Sequence, residues 1–496
     1  MTVTAPPVVA LRQFIAGTWE EGSGDFLISS NPAHPREAVA EGQQATPADV
    51  DRAVTAAAAA TREWSRTPIH ERGAVLLRAA DHLAERADSI GLELAREEGK
   101  TLTEARGEVN RAAQILRYYG NEGDRSAGEI FSSPRRGERI LVTRKPLGVV
   151  GVITPFNFPI AIPAWKIAPA LVYGNTVVWK PAGTVPLQAI RLAEALHEAG
   201  LPAGVLNLLI GPGPIGTVLV EHPLIGGLTF TGSTGVGRRL AATAAAAGVP
   251  IQAEMGGKNA SIVLADADLD LATEQVLFGA FRSTGQKCTA TSRLVVDERV
   301  ADELIDRLRA RLANWIVGDP TDPDVHMGPV ISQTAAAGIR AGITKAIEQG
   351  AILLNDGDNS GGEDPSTACF VPPALLQLPD DPTTASHNTA WRDEIFGPVL
   401  TVRRTANTQE AFTLANESEF GLSASVFTQD ITQVLDAVDE IDVGILHVNS
   451  ESAGADPHVP FGGAKKSGYG PKEQGGAAKE FFTHTTTVYL RGGSTA

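Results

Sequence analysis

The spacing of apolar and polar positions predicts short strands followed by helices in the first 120 residues. Residues 11–35 have the short apolar runs and turn residues typical of strands. Thr46 and Pro47 are suited to the N-cap and the first position of a helix. Apolar residues then recur every three or four positions. They predict helices over 48–65, 71–97 and 103–119.

A short alternating segment separates this helical part from the rest of the chain. Residues 128–143 alternate between apolar and charged positions, which predicts a β-hairpin. Its basic residues, Arg139 among them, indicate an exposed arm rather than a core strand.

From residue 147 onward, predicted strands and helices alternate. The predicted strands are 149–153, 175–180, 205–210 and 227–230, and the helices are 161–171, 187–199, 214–221 and one after 237. This alternation is typical of βαβ units in a parallel sheet. A second α/β region is predicted over about 256–445, and residues 481–490 predict a final strand.

Composition and charge narrow the class of protein. The 496 residues suggest two or three domains, with 43% hydrophobic and 20% charged residues. A net charge of −16 disfavours nucleic-acid binding, and two cysteines exclude a disulfide framework or a multi-cysteine metal site. No metal site is expected. No apolar stretch is long enough for a membrane helix and no signal peptide is recognised, so we expect no membrane association and a cytoplasmic protein.

Two glycine-rich turns could bind a nucleotide. Residues 211–216 match G-x-G-x-x-G but lack the acidic residue expected on the next strand, so a structural turn is as good an interpretation. Residues 230–237 form a second turn between a strand and a helix, without the G-K-[ST] ending of an NTP-hydrolysing loop. Lys180 ends a predicted strand, where ligands of parallel sheets bind, although a surface lysine is the alternative.

The two cysteines have different neighbours. Cys288 follows Lys287 in a small polar loop, and we expect the positive charge to favour the thiolate. Cys369 has apolar neighbours and is interpreted as core filler. Glu254 stands between an apolar strand and a glycine pair, where burial would raise its pKa towards that of a general base, or where it could be a capping or salt-bridge residue.

Seven motifs occur in order along the chain. They are TPFNFP (154–159), WKP (179–181), FTGST (230–234), EMGGK (254–258), GQKC (285–288), EIFGP (394–398) and PFGG (460–463). Together they resemble the NAD(P)-dependent aldehyde dehydrogenase superfamily over residues 12–490. The resemblance implies oxidation of an aldehyde to a carboxylate through a cysteine thiohemiacetal and thioester.

The family's fold is α/β, with a Rossmann-like cofactor domain, an α/β catalytic domain and a β arm for oligomerisation. The resemblance implies a cofactor domain from 1–127 and 144–255, a catalytic domain from 256–445, an arm from 128–143 and 478–496, and a return to the cofactor domain and substrate mouth over 446–477. It also implies a homodimer or homotetramer.

The resemblance assigns catalytic roles residue by residue. Cys288 matches the nucleophile, and Asn157 matches the amide that stabilises the oxyanion together with the backbone N–H of Cys288. Glu254 matches the base that activates water, and Lys166 matches a lysine linked to proton transfer. Each role is an expectation from the family.

The cofactor positions are assigned in the same way. They are Ile153, Thr154, Pro155, Lys180, Ala182, Gly183, Gly213, Phe230, Gly232, Ser233, Val236, Gly256, Glu394 and Phe396. NAD-preferring members often carry a glutamate where this chain has Gly183, and that carboxylate would repel a 2′-phosphate. We therefore expect NAD or NADP as cofactor, with NADP preferred.

Two stretches, 156–166 and 467–481, look closest to the α-ketoglutaric semialdehyde (2,5-dioxopentanoate) dehydrogenases of this superfamily. A semialdehyde is thus the expected substrate, with a broad range of aliphatic or aromatic aldehydes as the alternative. A CoA-acylating enzyme commonly lacks the carboxylate base, and a silent binding protein tends to lose the nucleophile, amide or base. The presence of Glu254, Cys288 and Asn157 argues against both.

Overall fold

The computed structural model describes residues 7–355 and 369–493. The first six residues of the predicted 1–127 segment, residues 356–368 of the predicted 256–445 region and the last three of the 478–496 segment lie outside the described residues. The division into domains stays a prediction.

Short strands precede four helices at the start of the chain. These elements are β1 (Val9–Ala10), β2 (Gln13–Ile15), β3 (Thr18–Glu20), β4 (Phe26–Asn31), β5 (His34–Gln43), α1 (Pro47–Arg66), α2 (Ile69–Glu85), α3 (Ala87–Glu98) and α4 (Leu102–Gly120). The predicted start of α1 is confirmed, and the Asp49 carboxylate accepts the Thr46 N–H at 2.7 Å. The helix predicted over 71–97 is instead two helices, because the backbone leaves the helical conformation at Arg86. The apolar spacing continues across that break and so does not reveal it.

Strands and helices then alternate, as predicted. The elements are β6 (Glu129–Ser132), β7 (Glu138–Pro146), β8 (Val149–Ile153), α5 (Ala161–Val172), β9 (Thr176–Lys180), α6 (Pro186–Glu198), β10 (Leu206–Leu208), α7 (Gly213–Glu221), β11 (Ile225–Thr231), α8 (Thr234–Ala246) and β12 (Ile251–Glu254).

The remaining elements form the second α/β region and the end of the chain. They are β13 (Asn259–Val263), α9 (Leu269–Phe281), β14 (Thr291–Asp297), α10 (Glu298–Leu312), α11 (Gln333–Glu348), β15 (Ile352–Leu353), β16 (Ala374–Gln377), α12 (Pro382–His387), α13 (Thr389–Arg392), β17 (Val399–Thr405), α14 (Thr408–Asn416), β18 (Phe420–Gly421), β19 (Ser423–Phe427), α15 (Ile431–Glu440), β20 (Ile445–Val448), β21 (Ala464–Lys465), β22 (Gly468–Tyr469), α16 (Gly475–Phe482) and β23 (Thr483–Arg491). Within the described residues, no helix is long and apolar enough to cross a membrane.

Two large sheets position the functional residues. In the first, the parallel strands β12, β11, β8, β9 and β10 lie side by side, with β22 antiparallel at one edge and β2 and β3 at the other. In the second, β16, β17, β14, β13, β19 and β20 are parallel neighbours. The parallel α/β sheets predicted from the alternation are therefore confirmed.

The predicted hairpin is present and gains a third strand from the chain end. β7 pairs antiparallel with β6 on one side and with β23 on the other. β23 begins only at Thr483, so the strand predicted over 481–490 is wrong at its start. Phe481 and Phe482 end α16 instead, and both rings are buried in the core around the first sheet. Burial of this aromatic pair outweighs its preference for strands.

Asn175 fastens this chain end to the first sheet. Its amide donates to the carbonyls of Ala170 and Phe482 at 3.1 and 2.9 Å, and its Oδ1 accepts the Gly148 N–H at 3.1 Å. The side chain is fully buried, so no water can replace these partners.

We expect Asn175→Ala to lower the free energy of unfolding by about 3 kcal/mol, because it leaves buried backbone groups without partners. Chemical denaturation followed by circular dichroism measures the change. Asn314→Ala is the control, since Asn314 bonds the Ala310 carbonyl on the exposed surface and should change stability by less than about 0.5 kcal/mol. Equal stability of the two variants would contradict the prediction.

Candidate active site

Cys288 follows an unusual turn between α9 and β14. Ser283 and Thr284 have positive φ angles of 52° and 54°, and Gly285 has 66°. The turn reverses the chain and leaves Cys288 partly buried, while Cys369 is buried elsewhere.

A cavity of about 290 Å³ opens at the Cys288 side chain. Three aromatic side chains, Phe158, Trp165 and Phe461, form part of its wall. Charged residues also line it, namely Lys100, Glu104, Glu108, Arg111, Arg282, Lys287 and Glu451. The cavity has room for a small organic molecule within reach of the thiol.

The surroundings of Cys288 oppose its ionisation. Burial, together with the Glu394 and Glu254 carboxylates, raises the pKa of the Cys288 thiol to about 12. The expectation that Lys287 favours the thiolate is wrong, because the lysine ammonium turns away. It donates to the Phe278 carbonyl at 3.2 Å and to Glu451 at 3.3 Å.

Asn157 lies against the segment that carries Cys288. Its side-chain nitrogen donates to the Gln286 carbonyl at 2.9 Å, two residues before the thiol. This bond fixes the plane of the buried amide beside the nucleophile loop. An amide N–H held there is a suitable donor for a negatively charged oxygen on an atom bonded to Cys288.

Glu254 ends strand β12 in a buried position. Its Oε2 accepts the Gly463 N–H at 3.1 Å. Burial and the nearby Glu473 carboxylate raise the pKa of Glu254 well above its usual range. Within the described residues, Glu254 forms no ion pair, so the salt-bridge interpretation loses support and a proton-accepting role gains it.

Lys166 and Glu473 form a buried ion pair next to Glu254. The Lys166 ammonium contacts Glu473 and donates to the Thr229 hydroxyl at 2.9 Å. The second oxygen of Glu473 accepts the Trp165 indole N–H at 2.6 Å. Burial lowers the pKa of Lys166, which brings the ammonium closer to releasing a proton.

Glu473 is a site residue that the sequence reasoning missed. It belongs to the stretch 467–481, which in the sequence contributes only to the resemblance to the α-ketoglutaric semialdehyde dehydrogenases. A buried Lys166 requires a carboxylate partner, but the spacing of 307 residues between them gives no clue to which one.

The cofactor positions cluster at the carboxyl edge of the first sheet. Ile153 on β8 is paired with Lys180 on β9 and with Phe230 on β11. Thr154 follows β8, and its hydroxyl accepts the Trp179 indole N–H at 2.9 Å. Helices α7 and α8 begin at this same edge. The other predicted positions here are only partly buried or exposed: Pro155, Ala182, Gly183, Gly213, Gly232, Ser233 and Val236.

This edge has the properties of a phosphate and ribose site. Lys180 is 8% exposed, and burial lowers its pKa to about 8. Within the described part of the chain no carboxylate pairs with it, and its ammonium donates to the Pro181 carbonyl at 3.1 Å. The buried hydroxyls of Thr231 and Thr234 have no protein partner. A Cβ at Gly213, the first residue of α7, would meet only open space. These groups fit the pyrophosphate and adenosine ribose of NAD(P).

Glu394 and Phe396 lie between the first sheet and the cysteine loop. The Gly257 N–H donates to Glu394 at 2.9 Å, and a Cβ at Gly256 would lie 1.9 Å from the same carboxylate. A side chain at Gly256 would therefore force the Glu394 carboxylate to move from this position. Phe396, with φ of 57°, packs edge to face against Phe156. The structure therefore brings these predicted cofactor positions next to the catalytic residues.

Comparison with known proteins gives consistent matches along the chain. The Aldehyde dehydrogenase family matches residues 19–488. An alpha-ketoglutaric semialdehyde dehydrogenase of Bacillus subtilis is 44% identical over 480 residues, covering 96% of this chain and 97% of the relative. A 2,5-dioxopentanoate dehydrogenase of Saccharolobus solfataricus is 38% identical, covering 96% of this chain and 98% of the relative.

Solved structures agree with this match. An NAD-dependent aldehyde dehydrogenase from Sinorhizobium meliloti superposes with a TM-score of 0.93 at 34% identity, covering 98% of this chain and 96% of that one. A betaine aldehyde dehydrogenase from Staphylococcus aureus in complex with NAD+ has a TM-score of 0.92 at 31% identity, covering 98% and 95%. The predicted fold is thereby confirmed.

We expect alkylation of Cys288 by iodoacetamide to accelerate about tenfold per pH unit from about pH 7 to about pH 10, because the thiolate reacts and the thiol pKa is raised. Mass spectrometry of a Cys369→Ser protein measures this rate at one site. Glu394→Gln should shift the profile to lower pH, since it removes a charge that raises the thiol pKa.

Glu85→Gln is the control for loss of a carboxylate, because Glu85 is exposed at the end of α2. Its profile should match that of the unaltered protein. A rate that levels off below about pH 8 would contradict the raised thiol pKa.

Proposed function

The chain belongs to the aldehyde dehydrogenase family and is an NAD(P)-dependent oxidoreductase, and we propose that it oxidises a carboxylate-bearing semialdehyde, such as α-ketoglutaric semialdehyde, to the corresponding carboxylate. The observation that carries the substrate class is the excess of cationic side chains around a cavity in an otherwise acidic protein.

The first half of the reaction uses Cys288 and Asn157. The thiolate adds to the aldehyde carbon to form a thiohemiacetal, and its negative oxygen accepts hydrogen bonds from the Asn157 amide and the Cys288 backbone N–H. Bound NAD(P)+ supplies the acceptor for the hydride that leaves this carbon. The oxyanion collapses to a thioester on Cys288. The raised thiol pKa means that the thiol proton must leave to a base, and the proposed acceptor is the buried Glu254 carboxylate, whose charge acts on the thiol.

The second half of the reaction uses Glu254. Once the thiol proton has passed from Glu254 to solvent, the regenerated Glu254 carboxylate takes a proton from water. The water oxygen adds to the thioester carbonyl, and the Cys288 thiolate leaves with formation of the acid. A buried Glu254 has to lose that proton again. The Lys166–Glu473 pair lies beside it and offers a path, since the Lys166 ammonium can release its own proton and the resulting amine can accept the proton of Glu254.

The charges around the cavity support a carboxylated substrate. Its lining includes the cations Lys100, Arg111, Arg282 and Lys287 against the carboxylates Glu104, Glu108 and Glu451. The lining is thus net positive, whereas the whole chain carries −16. An anionic substrate gains from this local excess of positive charge.

Arg282 is the best placed of these cations. Lys100 and Lys287 lie close to Glu108 and Glu451, at 2.6 and 3.3 Å, so their charges are matched. The Arg282 guanidinium stacks on the Phe278 ring at 3.5 Å and lies 3.8 Å from Glu451. A planar guanidinium held in this way suits bidentate binding of a carboxylate. The relatives named as semialdehyde dehydrogenases support the same substrate class.

Aromatic aldehydes form the second candidate class. Phe158, Trp165 and Phe461 give the cavity an apolar wall on which a ring could stack. A broad-range aldehyde dehydrogenase would use this wall and not Arg282.

We further propose NADP as the preferred cofactor. A Cβ at Gly183 would meet only the Gly211 carbonyl, at 3.8 Å, so there is space beside Lys180 for a 2′-phosphate. The negatively charged phosphate would form an ion pair with the buried Lys180 ammonium, which has no carboxylate partner among the described residues.

We also propose a homodimer or homotetramer in the cytoplasm. The three-stranded arm exposes apolar side chains on its outer strands, including Ile130, Phe131, Tyr489 and Leu490. Exposed apolar edge strands are normally covered by another chain. The free thiols of Cys288 and Cys369 suit a reducing compartment.

The substrate proposal predicts that Arg282→Met raises KM for ω-carboxylated aldehydes at least about tenfold, because a charge-assisted pair with the carboxylate is lost. KM for an unsubstituted aliphatic aldehyde of the same length should stay unchanged. Initial rates over a panel of aliphatic, aromatic and ω-carboxylated aldehydes measure this. Arg309→Met, at an exposed arginine on α10, is the control.

Equal kcat/KM of the unaltered protein for plain and carboxylated aldehydes would contradict the semialdehyde substrate. A preference for aromatic aldehydes that survives Arg282→Met would favour the second candidate class.

The cofactor proposal predicts that Gly183→Glu lowers kcat/KM for NADP at least about tenfold through repulsion of the 2′-phosphate. The value for NAD should stay level or rise. Gly183→Gln has the same size without the charge and should affect NADP far less. A protein that already has kcat/KM about tenfold higher for NAD than for NADP would refute the preference.

A further inference from the structure

The turn before Cys288 requires support from outside itself. Ser283 and Thr284 are left-handed, a conformation in which the Cβ atom crowds the backbone carbonyl. Glycine tolerates it, and serine and threonine do not adopt it without stabilising partners. The conformation of Ser283 determines the path of the five residues that follow it, the last of which is Cys288. A group that stabilises this conformation therefore also helps to position Cys288.

Glu104 on helix α4 supplies this support. One carboxylate oxygen accepts the Ser283 N–H at 2.8 Å and its hydroxyl at 3.3 Å. The other oxygen accepts the N–H and hydroxyl of Thr101, at 3.0 and 2.9 Å, and so caps the start of α4. A single carboxylate therefore joins the nucleophile turn to the end of a rigid helix.

One helical turn further along, Glu108 holds the loop that carries Asn157. Its Oε1 accepts the N–H groups of Ile160 and Ala161 at 3.0 and 3.1 Å. Its Oε2 binds the Lys100 ammonium at 2.6 Å, which in turn donates to the Asn157 backbone carbonyl at 2.8 Å. The loop is therefore hydrogen-bonded on both sides of Phe158, at Asn157 by Lys100 and at residues 160–161 by Glu108.

We propose that Lys100, Glu104 and Glu108 are positioning residues that set the Cys288 thiol against the Asn157 amide. Glu104 and Glu108 are four residues apart and so lie on the same face of α4, which makes the helix a common reference for both loops. The oxyanion amide must meet the thiohemiacetal oxygen to within about half an ångström. Because helix α4 is rigid, it can hold both loops to that precision. This inference rests on the proposed roles of Cys288 and Asn157.

These groups line the cavity, yet their hydrogen bonds are committed to the protein. Both Glu108 oxygens and the Lys100 ammonium have partners within the chain. Both Glu104 oxygens do as well. Substrate contact therefore does not explain them, and loss of these bonds acts on the loops.

The principal test is Glu104→Gln, because an amide keeps the size but supplies one acceptor oxygen instead of two. We expect kcat to fall about tenfold to about hundredfold for plain and carboxylated aldehydes alike, with KM values changed less than about threefold. Iodoacetamide needs no oxyanion amide, so the alkylation rate of Cys288 should change less than about threefold. Thr101→Ala removes the helix cap but not the Ser283 contact, and should lower the melting temperature with little effect on kcat.

A second substitution tests the left-handed turn directly. Glycine adopts positive φ without cost, so Ser283→Gly added to Glu104→Gln should raise kcat at least about threefold above the single variant. The double variant Lys100→Met with Glu108→Gln removes both charges of the 2.6 Å ion pair together. We expect it to lower kcat without slowing alkylation of Cys288.

Several outcomes would overturn the proposal. Equal losses of kcat in Thr101→Ala and Glu104→Gln would show that Glu104 acts only by capping helix α4. A loss confined to carboxylated aldehydes would make Glu104 a substrate contact. A crystal structure of Glu104→Gln in which Ser283 stays left-handed would refute the support of the turn, whatever the rates. Unaltered turnover by Cys288→Ala would instead refute the proposed function, and the conformation of Ser283 remains testable in that case.

Discussion

Removal of ionisable groups from water is the constraint on which the catalytic centre depends. Glu254, Lys166 and Glu473 are buried and Cys288 is partly buried, and desolvation is the largest cause of the pKa shifts of Cys288, Glu254 and Lys166. Burial disfavours both thiolate and carboxylate, so it favours the protonated forms of Cys288 and Glu254. The contact between Lys166 and Glu473 offsets the cost of burying their two charges.

The topology of the first sheet brings the predicted cofactor positions together. Parallel strands end at one edge, and the helices that follow them begin there with free N–H groups. Ile153, Lys180 and Phe230 meet at that edge because their strands are neighbours, not because they are close in sequence. Glu254 ends the next strand, β12, so the sheet that carries the predicted cofactor positions also carries the proposed base.

Much of the fold and part of the site could be predicted from the sequence. The start of α1 at Pro47 depends on two adjacent residues, and the strands of the first sheet depend on short apolar runs. Glu473 and the partner of Lys287 could not be predicted, because each depends on a contact across more than a hundred residues. The break between helices at Arg86 and the helical conformation of Phe481 also could not be predicted. At both positions, packing between elements distant in the sequence outweighs the local conformational preference.

The pairing of β23 with β7 has a consequence for synthesis of the chain. Nine residue pairs join positions more than 330 residues apart, so this contact closes the longest loop among the paired strands. The sheets can begin to form on the ribosome, while the arm has to wait until residues 483–491 have emerged. The arm is therefore completed only after the strands of both large sheets have been synthesised.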